Sequence, residues 1–65
     1  MSEQVGKNIA AKRKELGYSA AEVERKADVA FGTVLKLEAG GGNPTIKTLE
    51  KIAEALGCTV GDLIG

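Results

Sequence analysis

Few side chains in this chain could make or break a covalent bond. It has no histidine, a single cysteine, Cys58, and two serines, Ser2 and Ser19, so no nucleophile has an evident base or orienting group beside it. One cysteine without histidine does not make a metal cluster, and no cofactor is expected. Gly40-Gly41-Gly42 lacks the Gly-Lys-Ser/Thr continuation of a phosphate-binding loop. Ser19 stands three residues before Glu22, which suits a helix cap, and Cys58 falls at an apolar-pattern position and reads as core filling. The chain is read as no enzyme. What remains is recognition through hydrogen-bonding or apolar groups.

Length and composition narrow the frame around such a surface. The 65 residues fit one domain, 1–65, and their nine Lys+Arg against nine Asp+Glu give no net charge. Balanced charge weakens the case for a polyanionic partner, because strong nucleic-acid binders usually carry a basic excess. With one Phe, one Tyr and no Trp, the core must be aliphatic and thin. A lone cysteine forms no internal disulfide, which points to the cytoplasm. No apolar run has the length of a signal peptide or a membrane span.

Helical periodicity runs through most of the chain. Val5, Ile9 and Leu16, with Ala10 and Ala11 between them, repeat against Lys7, Lys12, Lys14 and Glu15, and Gly17 supplies a left-handed stop. Ser19 and Glu22 form a capping box for a second helix to about Ala27, with Val23 and Ala27 facing inward. Val34 and Leu37 mark the buried side of a third helix, expected from about Phe31 to Glu38. Gly40-Gly41-Gly42-Asn43-Pro44 is a loop. Thr45 caps a fourth helix with inward Ile46, Leu49, Ile52, Ala53 and Leu56, stopped by Gly57. Thr59 and Asp62 repeat the capping spacing for a last short turn with Val60, Leu63 and Ile64. No strand pattern competes, so the expected fold class is all-α with five helices.

Gly17-Tyr18-Ser19 through Glu38, then Gly40, Asn43-Pro44 and Thr48 to Gly57, resemble the lambda-repressor-like (Cro/repressor type) helix-turn-helix family. The resemblance covers residues 5 to 64, and its most specific parts are Asn43-Pro44 to Leu63 and Thr33-Val34 to Leu37-Glu38. It implies a compact five-helix domain whose second and third helices form the DNA-binding unit. It also implies a structural ion pair between Arg13 and Glu38. In such domains the third helix enters the major groove and the start of the second holds a phosphate.

At those places this chain departs from the family. Ala20 stands where a phosphate-bonding Gln is usual, Ala30 where a Ser or Thr caps the third helix, and Phe31, Gly32 and Leu35 where polar readers are expected. Ala39, Gly41 and Gly42 replace positions that are often polar, leaving Thr33, Lys36 and Asn43. Asp28 takes a turn position that is commonly Gly. Glu24 occupies a small-residue place, where it would extend its carboxylate to solvent or splay the helices.

Phe31 and Leu35, four apart, are expected to point outward from one helical face. The first reading is therefore a protein-binding module, natural or engineered. Its surface would be Phe31 and Leu35 surrounded by Ala20, Ala30, Gly32, Thr33, Lys36 and Ala39, docking on a protein or on its own copy. The alternative is a sequence-specific DNA-binding transcriptional regulator acting as a dimer, reading through Thr33 and Lys36, with Asn43 and the amides opening the fourth helix on phosphate. Neither reading calls for a membrane or a small-molecule substrate.

Overall fold

The computed structural model describes residues 2–65. Five helices follow one another: α1 (Ser2–Leu16), α2 (Ala20–Ala27), α3 (Thr33–Glu38), α4 (Ile46–Leu56) and α5 (Val60–Ile64). No strand occurs among the described residues.

Local chemistry sets most of the boundaries. The Glu22 amide donates to Ser19 Oγ at 3.1 Å and the Ser19 amide donates to the Glu22 carboxylate at 2.9 Å, so α2 opens on a complete capping box. Thr59 and Asp62 make the same reciprocal pair at the start of α5. Thr45 Oγ1 accepts the Thr48 amide at 3.1 Å to open α4. At the other end of α2, Asp28 adopts φ 57° and ψ 48°, the left-handed turn usually left to glycine.

The core is aliphatic and drawn from all five helices. Val5, Ile9, Val23, Ala27, Val34, Leu37, Leu49, Ile52, Ala53, Leu56 and Leu63 are buried, and Tyr18, Val29 and Cys58 pack against them half-covered. Burial pushes the Cys58 thiol above its ordinary pKa. α1 lies on α3 and α5, while α2 lies on α4. The resulting body measures 23 × 20 × 19 Å. The contact of α1 with α3 is close enough that Gly6 is buried with its Cα against the backbone of Leu37 and Glu38. Asn8 ties α1 to the far end of the chain by donating to the Leu63 carbonyl at 2.7 Å.

Some expectations need correction. α1 is helical from Ser2, earlier than Val5. α3 begins at Thr33, because Gly32 takes φ 91° and Ala30 offers no capping oxygen, so Phe31 and Gly32 belong to the preceding turn. Leu16 and Ile46 keep the apolar period yet are exposed, since each ends or begins its helix beyond the reach of the core.

Candidate functional site

α3 has only six residues, too few to persist without tertiary support. Its first four amides can nonetheless be accounted for one by one. Thr33 N donates to the Ala30 carbonyl at 3.1 Å and Lys36 N to the Gly32 carbonyl at 2.9 Å. Between them, Val34 N donates to Glu24 Oε2 at 2.9 Å and Leu35 N reaches the same oxygen at 3.5 Å. Glu24 is 3% exposed. Its carboxylate therefore does not extend to solvent but points onto the start of α3. It turns inward because the unsatisfied amides and positive end of α3 compensate its desolvation.

The other end of α3 is tied to α1. Arg13 Nε donates to Glu38 Oε2 at 2.7 Å and Nη2 donates to Oε1 at 2.8 Å, a bidentate pair. Arg13 Nη1 also donates to the Tyr18 carbonyl at 2.9 Å, which fixes the turn leading into α2. The pairing with Glu38 holds the guanidinium pKa above its already high ordinary value.

Around this anchored helix the candidate residues fall on two surfaces. Thr33, Lys36 and Asn43 line one groove of about 230 Å³, together with Leu37, Gly42, Pro44, Thr45 and Thr48. It lies between α3 and the start of α4. Lys36 is exposed there, its aliphatic stem running beside Gly41 and Gly42. Ala20, Phe31, Gly32 and Leu35 line a separate groove of about 130 Å³ with Ala21 and Glu24. Phe31 and Leu35 are strongly exposed, at 91% and 63%. Ala30 in the turn and Ala39, the C-cap of α3, are exposed but line neither groove.

The residues first grouped as one apolar docking face thus do not form one surface: Ala20, Phe31, Gly32 and Leu35 share an apolar recess, Thr33 and Lys36 line the other groove, and Ala30 and Ala39 lie outside both. The four-residue spacing of Phe31 and Leu35 is not a helical repeat, because Gly32 interrupts it. Sequence reasoning missed the positive role of Glu24, and the signal available was a carboxylate preceding a helix start that lacks its own cap. Among the described residues, no group of His, Cys, Asp and Glu is arranged to hold a metal, and no helix is long and apolar enough to cross a membrane.

Two consecutive helices joined by a tight turn, the second short and braced from both sides, with the remaining helices packed around them, define a lambda-repressor-like helix-turn-helix fold of Cro/repressor type. Residues 9–63 match the family described as helix-turn-helix, and the chain belongs to it. It is also similar to an uncharacterized HTH-type transcriptional regulator, y4dJ, of Sinorhizobium fredii (strain NBRC 101917 / NGR234). The two are 38% identical over 64 residues, spanning 98% of this chain and 83% of the relative. No solved structure matches the chain significantly.

The family and this relative overturn the first reading, a protein-binding or engineered module. That reading took the loss of polar side chains around Phe31 as a change of partner.

Proposed function

We propose that the chain is a DNA-binding transcriptional regulator, without catalytic activity, that seats α3 in the major groove. Thr33 and Lys36 face base edges from the exposed side of the helix. Asn43 and the amides of Ile46 and Lys47, which lead α4, meet the sugar-phosphate backbone. Phe31 and Leu35 stand beside them as apolar groups whose natural counterpart on a base edge is the thymine methyl. The single observation that carries this reading is the shared groove of Thr33, Lys36 and Asn43, in a chain of the helix-turn-helix family. A regulator of this kind acts as a dimer on half-sites about one helical turn apart.

With no net charge on the chain, attraction to DNA must come from local cations such as the exposed Lys36. The test is binding to a mixed-sequence duplex over a series of salt concentrations. Each phosphate neutralised contributes about −0.9 to the slope of log affinity against log salt, and a modest negative slope is expected. Affinity indifferent to salt, or a selection over random duplexes that enriches no palindrome, overturns the reading.

A further inference from the structure

We propose that Glu24 is a positioning residue for sequence readout: its carboxylate, lent by α2, completes the first turn of α3 and so sets where Thr33 and Lys36 stand on DNA. The inference rests on the DNA-binding reading above and goes one step beyond it, to the group that makes the reading helix rigid.

A helix start needs acceptors for its leading amides, and a Ser, Thr, Asp or Asn at the N-cap normally supplies one. Here the N-cap is Gly32, which has no side chain to offer. The deficit falls on Val34 and Leu35, the amides that reach Glu24 Oε2 from ten and eleven residues further along the chain. An acceptor on the helix itself would move with it. An acceptor on α2 makes the placement of α3 relative to α2 part of the bond, so a shift of α3 along or away from α2 breaks it.

Among the described residues, the burial of Val34 and the bonds of the Thr33 and Lys36 amides to the preceding turn also hold the start of α3, but neither supplies an acceptor to the Val34 and Leu35 amides. The Arg13–Glu38 pair and the Gly6 contact act at its opposite end. Without the carboxylate, the first turn carrying Thr33 loses its tie to α2 and is loosened, while the end carrying Glu38 stays tied to α1. Phosphate contacts tolerate such motion, whereas base-edge contacts do not.

The discriminating experiment compares binding of a duplex selected by the wild type from a random library with binding of the unselected library. Glu24→Ala is expected to lower the ratio of the two affinities about tenfold, the loss of one buried carboxylate hydrogen bond. Affinity for the unselected library should change less than about twofold, because phosphate contacts dominate it. Glu24→Gln, which keeps one acceptor oxygen, is expected to fall between. A merely structural role would lower both affinities together in proportion to the unfolded fraction, and that result, or an unchanged ratio, overturns the proposal. If Glu24→Ala does not fold, the ratio measured for Glu24→Gln decides by the same criterion.

If the wild type enriches no duplex at all, the DNA-binding reading fails, and amide hydrogen exchange then tests the anchor alone. Faster exchange at Val34 and Leu35 in Glu24→Gln, with α1 and α4 unchanged, supports it. Unchanged exchange at those two amides sinks it.

Discussion

Arg13 and Glu38, twenty-five residues apart, meet in a bidentate pair with both side chains largely covered, 16% and 13% exposed. Because Glu38 is the last residue of α3, its charge would otherwise sit unfavourably at the negative end of a helix. The guanidinium cancels that charge and ties the helix to α1. Arg13→Ala is expected to cost about 2 kcal/mol, mostly from the carboxylate left without its donors. Urea denaturation of the single variants and of Arg13→Ala with Glu38→Ala should show strong coupling between the two positions.

Gly6 marks the other contact of α1 with α3. A methyl group there would run into the Leu37 carbonyl, which is backbone and has little room to yield. Gly6→Ala is therefore expected to destabilise by about 2 kcal/mol or more despite the better helix propensity of alanine. An unchanged denaturation midpoint would show that the helices part easily at this point.

The two capping boxes predict a dependence on pH. The Ser19 backbone amide, with its hydroxyl, lowers the Glu22 carboxyl pKa below the ordinary carboxylate value, and the Thr59 amide and hydroxyl do the same to Asp62. Lower pKa values in the folded state mean that the unfolded chain binds protons first as pH falls. The stabilisation is thus complete above the ordinary carboxylate range and is lost as pH drops through the folded-state values. Glu22→Gln is expected to flatten the acid limb of a plot of thermal midpoint against pH, since Gln keeps the shape but carries no titrating charge.

Lys36 provides a test with little structural cost, because it is exposed at the mouth of the α3–α4 groove. Lys36→Ala should leave stability within about 0.5 kcal/mol of the wild type. A salt slope of DNA binding lower by about 1, with affinity weakened on all sequences alike, would put Lys36 on a phosphate and count against its place at a base edge. If it reaches a guanine edge, the loss is confined to one base position. Circular dichroism alongside the binding titration separates both outcomes from unfolding.

How much could be read from residue order alone follows from the range of each interaction. The boxes at Ser19/Glu22 and Thr59/Asp62 lie within one helical turn, and the buried row Leu49, Ile52, Ala53 and Leu56 is a plain 3.6-residue repeat, so both are visible in the string. Glu24 was not visible as a cap, because its partners are Val34 and Leu35 across a turn whose course depends on the positive φ of Gly32. That same dihedral removed Phe31 from the helix expected to carry it. Thr33, Lys36 and Asn43 were recognisable as polar, but their gathering in one cleft depends on how the Gly40–Pro44 loop returns the chain to α4.

The carboxylate bridge from α2 has a practical corollary for anyone exchanging modules between related regulators. Transplanting residues 33–38 alone would leave behind the oxygen on which their leading amides depend. A host with alanine at the equivalent of Glu24 would receive the six side chains but lack the group that holds their first turn. A portable segment therefore begins at Glu24 rather than Thr33, and the host must also offer an arginine at the equivalent of Arg13 to meet Glu38.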